Sequence, residues 1–204
     1  MNPMLTNPEG YFSQWIPERS QLMRTLEQEA QTEQIPIIGP LVGQLLYILA
    51  RMHNAKHIVE LGTAIGYSTL FLAKACIHNN GKVCSYDISP ELVQRAKINI
   101  RSAGLDRVTQ IYCEDGLAAL KQRTDPVDMI FIDIDKEDYV RALPDCTRIL
   151  RSGGLLFADN TGFKDALSFN QAIHESKQWE SINLWCFLPL HSPEHDGLCL
   201  ALKK

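Results

Sequence analysis

With 204 residues, 45% of them apolar, the chain can bury a substantial core, and its length suits one domain better than two small ones. Its 24 acidic and 20 basic residues leave a formal net charge of -4, with no basic block beyond the last two lysines, which argues against nucleic acid as a partner. No apolar run approaches the roughly 18 residues of a membrane span and no basic-then-apolar leader opens the chain, so a soluble, cytoplasmic protein with no membrane partner is expected.

Pro17 to Glu33 carries Leu22, Leu26 and Ala30 at helical spacing on an otherwise polar surface, which predicts an amphipathic helix. A second helix begins near Pro40, a residue suited to a first turn, and carries Leu41, Leu45, Leu46, Ile48 and Leu49 to about Met52. Short apolar runs then alternate with helical patterns: HIVEL at 57–61, KVCSYD at 82–87, VTQIYC at 108–113, VDMIFID at 127–133 and GLLFAD at 154–159. This is the βαβ rhythm of an α/β, Rossmann-like doubly wound sheet. WESINLWCFLPL at 179–190 and DGLCLALKK at 196–204, split by a short polar loop, read as an antiparallel pair that completes seven strands. The six cysteines show neither C-x-x-C nor zinc spacing and read as small core residues in a reducing compartment.

In such a sheet, ligands bind outside the carboxyl ends of the strands. After the first strand comes Glu60-Leu-Gly62-Thr63-Ala-Ile-Gly66-Tyr-Ser68, where Gly62 and Gly66 permit a tight turn and close approach of a ligand. The free N–H groups of the helix starting near Gly66 suit a carboxylate. Asp87 ends the second strand, where an acid suits a ribose diol, and Ser89-Pro90 follow as cap and first turn. Two plainer readings compete: the glycines serve only the turn, and Asp87 only caps a helix. The spacing G-x-x-x-G, rather than G-x-G-x-x-G, counts against a nicotinamide or flavin dinucleotide.

The fourth strand is nearly continuous apolar sequence that ends in Asp133, Asp135 and Lys136, and the fifth ends in Asp159-Asn160. Oxygen ligands at the ends of neighbouring strands suit a hard cation such as Mg²⁺, and a lysine held beside a cation can serve as a base. Here too plainer readings exist: Asp133 as a cap or loop acid, Asp135 and Lys136 as solvated charges, Asp159-Asn160 as a turn. Pro193 places His191 and His195 on a loop, where helical facing is lost, so that pair does not read as a ligand set. Trp179 and Trp185 read as core or edge aromatics.

Over residues 37–204, VELGTAIGYSTLFLA, SYDISPELVQRAK, CEDGLAAL, DMIFIDIDKEDY, ILRSGGLLFADN and the closing LPL and DGLCLALKK together resemble class I S-adenosylmethionine-dependent O-methyltransferases of the catechol and caffeoyl-CoA type. The first two blocks are common to many methyltransferases. D-x-x-K followed by Asp-Asn 26 residues later is far more discriminating. The resemblance implies one domain, with residues 1–36 a helical extension and 37–204 the catalytic core. It implies that S-adenosylmethionine lies across Glu60, Gly62, Thr63, Gly66, Ser68, Asp87, Ile88, Asp115, Gly116 and Asp133, with Asp87 on the ribose and Asp115 near adenine. It further implies a divalent cation (Mg²⁺, or Ca²⁺ or Mn²⁺) on Asp133, Asp159 and Asn160, Lys136 as general base, a small phenolic acceptor and a homodimer.

The chain departs from the family after Asn160, where only TGFKDALSFNQAI precedes the next helix and Phe163 is the sole aromatic to frame the acceptor. A more open acceptor side is expected. Three alternatives stay open: a dinucleotide-dependent oxidoreductase, a metal-independent small-molecule methyltransferase and a non-enzymatic scaffold. A nucleic-acid adenine methyltransferase is disfavoured, because no N-P-P-Y-like tetrapeptide follows the fourth strand.

Overall fold

The computed structural model describes residues 4–204; residues 1–3 of the expected N-terminal extension lie outside the described residues. A short helix α1 (Pro8–Phe12) precedes α2 (Gln21–Glu33). The second of these was expected from Pro17, but the Ser20 hydroxyl accepts from the Met23 N–H and caps it there, so the four residues before Gln21 stay outside. Its apolar stripe, Met23, Leu26 and Ala30, is buried. Helix α3 (Gly39–Met52) carries Pro40 in its first turn, as expected.

Strands and helices then alternate: β1 (His57–Leu61), α4 (Tyr67–Asn79), β2 (Lys82–Asp87), α5 (Pro90–Ser102), β3 (Thr109–Cys113), α6 (Gly116–Gln122), β4 (Val127–Ile132), α7 (Tyr139–Ile149), β5 (Leu150–Ala158) and α8 (Leu167–Glu175). β6 (Trp179–Phe187) and β7 (His195–Lys203) close the chain. The seven-stranded sheet has the order β3-β2-β1-β4-β5-β7-β6, with β1 to β5 parallel and β7 antiparallel to both neighbours. The order reverses between β1 and β4, which is where a doubly wound sheet opens a crevice.

Two strand boundaries differ from the sequence reading by more than one residue. β5 begins at Leu150 rather than at Gly154, because Val127 pairs with Leu150 while Met129 pairs with Leu155, and the irregularity is taken up around Gly153 at φ 72°. A glycine pair inside a strand hides it from a search for alternation. β6 ends at Phe187, where the backbone turns and Leu188 N–H donates to Glu194 O.

Side chains alternate across the sheet. Ile58, Met129, Phe131, Leu155 and Phe157 pack on one face with residues of α2 to α5. Val59, Leu61, Ile130, Ile132, Leu156 and Ala158 pack on the other with residues of α6 to α8. Three cysteines (Cys76, Cys146 and Cys199) are buried as expected, whereas Cys113 is exposed. Trp179 is core, while Trp185 lies 69% exposed on the edge strand.

Phe131 is fully buried, its ring 5.9 Å from that of Phe157. Phe131→Ala should therefore lower unfolding free energy by about 3–5 kcal/mol in urea titrations, through lost burial and the cavity left behind. A loss below about 1 kcal/mol would contradict this account of the core.

Candidate active site

The turn after β1 is built by backbone. Gly62 has φ 94°, and a Cβ there would stand 1.9 Å from the Asp133 carbonyl oxygen, so its glycine is required by the close passage of the β4 end rather than by ligand room alone. Gly66, at φ 85°, is the N-cap of α4 and offers no side chain to the first turn. The leading N–H groups of α4 are thus left for a ligand.

Asp87 holds this turn from the neighbouring strand. Its Oδ2 accepts from Thr63 N at 3.1 Å and Ala64 N at 2.8 Å, while Oδ1 accepts from Ser89 N at 2.9 Å. The residue that was to hold a ribose therefore also braces the glycine turn. Asp115 caps α6 by accepting from Leu117 N at 3.0 Å.

Glu60 lies wholly buried beneath the turn. Thr69 Oγ1 donates to its Oε2 at 2.5 Å, while Oε1 is buried with no hydrogen-bond partner. Burial raises its carboxyl to about 7; the nearby hydroxyls of Ser68, Ser85 and Thr69 counter the effect in part, and Asp133 adds to it.

On the other side of the crevice, β4 and β5 end level with each other, Ile132 opposite Ala158, and deliver Asp133 and Asp159 side by side. Burial, and then the charge of Asp159, raise the Asp133 carboxyl above its ordinary range against the opposing pull of Lys136. Lys136 Nζ donates to Asp133 Oδ1 at 3.1 Å and to Ile134 O at 3.0 Å. Tyr139 Oη donates to Asp159 O at 3.1 Å and ties the start of α7 to the end of β5.

Asp159 Oδ2 meets His191 Nε2 at 2.8 Å, and Oδ1 is buried without a partner. Burial alone would lower the His191 imidazole, but the Asp159 carboxylate, the Pro193 carbonyl and the Asp196 charge together outweigh it and the net direction is upward. Asn160, at φ 48°, donates its amide protons to Asp196 Oδ2 at 2.6 Å and to Ser192 O at 3.3 Å, which leaves its Oδ1 as the available atom.

A cavity of about 340 Å³ joins these two sides. Of the residues expected from sequence, Gly62, Thr63, Ser68, Asp87, Ile88, Asp115, Gly116, Asp133, Lys136 and Asn160 line it. Glu60, Gly66 and Asp159, also expected, are not among the lining residues. Ile35 to Ile38, Tyr86, Leu92 and Asp138 line it as well and had no signal in the sequence, since each is an ordinary apolar or loop residue that only the fold carries there.

The residues present fit both ligands the family resemblance implies. For an elongated nucleoside with a carboxylate and an amine, there are open helix N–H groups, an acid at a strand end and one buried carboxyl oxygen of Glu60 lacking a partner. For a hard cation, there is one unpartnered carboxylate oxygen, a second carboxylate and an amide oxygen. Among the described residues no three His, Cys, Asp or Glu side chains converge as a ready cage, so the set depends on the amide of Asn160.

A crevice at the switch point of a parallel sheet, lined by a glycine turn and strand-end acids, defines a nucleoside-cofactor enzyme of the doubly wound class. Residues 15–183 match the O-methyltransferase family, and the chain belongs to it. It is 31% identical over 182 residues to the catechol O-methyltransferase of Niastella koreensis, covering 82% of each chain. It is 33% identical over 125 residues to caffeoyl-CoA O-methyltransferase 2 of Populus trichocarpa, a match covering 58% of this chain and 50% of that one. The structure of the Bacillus cereus O-methyltransferase in complex with SAH superposes with a TM-score of 0.85 over 96% of both chains at 23% identity, a likeness of fold.

Between its unfolded value near 4.5 and its folded value of about 7, Glu60 binds a proton more firmly in the folded protein, so its contribution is full below pH 4.5 and lost as pH rises through 7. Glu60→Gln, neutral throughout, lacks this loss. Relative to the variant, the wild type should weaken by up to about 3 kcal/mol between pH 5 and pH 8 in urea unfolding. Parallel pH profiles for the two proteins would refute the assignment.

Proposed function

We propose that the chain transfers a methyl group from S-adenosylmethionine to a phenolic, catechol-like hydroxyl of a small molecule with the help of a divalent cation. The observation that carries this reading is the level pairing of Asp133 with Asp159-Asn160, where one buried carboxylate oxygen lacks a partner and Lys136 stands three residues away. The names of the Niastella and Populus relatives support the acceptor class.

The cofactor, when bound, supplies an electrophilic methyl on a sulfonium. Asp87 and the α4 N-terminus hold its ribose and carboxylate, Asp115 orients the adenine, and Ile35 to Ile38 close one wall against water. Asp133, Asp159 and Asn160 would hold a divalent cation, which would supply positive charge favouring the ionised form of a phenol. Lys136 Nζ, once it has given its own proton to solvent, takes the phenolic proton. No covalent enzyme intermediate is needed, so alignment within the crevice supplies much of the rate.

Phe163 is 43% and Trp185 69% exposed, with the Trp185 ring packed near Gly162, two residues past Asn160. They offer apolar surface to an aromatic acceptor beside the cation site. A metal-independent transfer is the second reading, favoured by the pairing of Lys136 with Asp133 and of His191 with Asp159.

Chelation should abolish transfer to catechol while S-adenosylmethionine binding by calorimetry stays intact, and added Mg²⁺ should restore it. Full activity in chelator on every accepted phenol would leave the metal-independent reading. Saturation by NAD(P) with none by S-adenosylhomocysteine would instead indicate an oxidoreductase.

Lys136→Ala should bind the cofactor normally and lose roughly 10²- to 10⁴-fold in turnover. Unchanged turnover would remove it as the base. Asp87→Ala should weaken cofactor binding by about 1–3 kcal/mol, through the lost ribose partner and the loosened turn. Calorimetry checks this, with circular dichroism to confirm the fold.

A further inference from the structure

We infer that His191, on the loop between β6 and β7, is a positioning residue for the cation site, fixing Asp159 so that a single carboxylate oxygen is left to take the metal. The inference rests on the metal-assisted reading above and adds to it a residue from outside the strand ends.

The His191 side chain is 1% exposed, and its Nε2 lies 2.8 Å from Asp159 Oδ2. Nδ1 lies 2.6 Å from Pro193 O, an atom that can only accept. The ring is therefore gripped at both nitrogens and cannot turn without breaking a buried hydrogen bond. With Oδ2 occupied, the remaining oxygen of Asp159 is Oδ1, buried and partnerless. A buried carboxylate oxygen without a donor is costly unless something else satisfies it.

The same loop and the start of β7 treat Asn160 in the same way. Asp196 Oδ2 and Ser192 O take its amide protons, Asp196 Oδ1 accepts from Gly162 N at 3.1 Å, and Gly197 O accepts from Thr161 N at 2.8 Å. His191 N–H donates to Leu188 O at 3.0 Å and Leu190 N–H to Glu194 Oε1 at 3.0 Å, so the loop is itself braced. Both strand-end ligands are thus oriented from the outside, each with one oxygen kept free. Outer partners of this kind hold first ligands in the geometry a cation needs.

Mn²⁺ is the probe, titrated into the full chain and followed by the electron paramagnetic resonance signal of the free ion. His191→Phe keeps the ring volume without its N–H; His191→Gln keeps a donor. The phenylalanine variant should bind Mn²⁺ about 10- to 100-fold more weakly than wild type, with S-adenosylhomocysteine affinity unchanged, and the glutamine variant should recover most of the loss. Equal or tighter Mn²⁺ binding by His191→Phe, as expected if the imidazole were idle or competed with the ion, overturns the inference alone.

No Mn²⁺ uptake by wild type overturns the metal-assisted reading and this inference with it. If the phenylalanine variant does not fold, His191→Leu takes its place under the same criteria: a loss of about 10- to 100-fold supports the inference, and equal or tighter Mn²⁺ binding overturns it.

Discussion

Two carboxylates delivered side by side by neighbouring parallel strands, Asp159 buried and Asp133 facing the crevice, are the constraint that the rest of the site answers. Asp133 and Asp159 each follow the last paired residue of an apolar strand, and their mutual repulsion helps push the Asp133 carboxyl upward. Each is met by one cationic or proton-bearing partner. Lys136 comes from three residues along the same loop, whereas His191 comes from 32 residues further down the chain. The backbone contributes too, because Tyr139 reaches back to the Asp159 carbonyl and keeps the two strand ends in register.

That pair is coupled to the cofactor side through contact rather than through charge alone. The absent Cβ of Gly62 is the space into which the Asp133 carbonyl fits, Asp133 N–H donates to Leu61 O at 2.8 Å, and Gly62 N–H donates to Tyr86 O at 2.9 Å. Asp87 then fixes the next two N–H groups of the turn. Three strand ends therefore form one interlocked unit, and a side chain at Gly62 would displace the acid at the same time as the cofactor turn.

What could be read in the sequence follows from how far each feature reaches. The alternation of strands and helices, the seven-strand count, and the gathering of Gly62, Asp87, Asp115, Asp133, Lys136 and Asn160 around one crevice all depend on local pattern and on the rule that parallel sheets bind at their carboxyl ends. The first half of β5 was hidden, since Gly153 and Gly154 break its alternation. Pro193 removes the helical spacing that would make His191 and His195 a pair of ligands on one helix, but a loop can still bring one histidine singly to Asp159, as it does His191. His195, four residues on, pairs instead with Glu9 at the surface.

The topology explains why such a loop reaches the site at all. In a purely parallel sheet every strand starts at the far end, and only the loops that follow strands can reach the crevice. β7 runs the other way, with Cys199 paired to Ala158, so its beginning rather than its end stands beside Asp159. The connection from β6 must therefore cross the crevice end of the sheet, and it does so as an irregular loop with side chains free to point inward. Crossover helices offer mainly their N-terminal N–H groups there, as α4 does, and so the glycine-turn half is built largely from backbone. The acidic half is built from side chains of three separate segments, held by His191 on the one loop that the reversed strand places within reach and by Asp196 at the start of that strand.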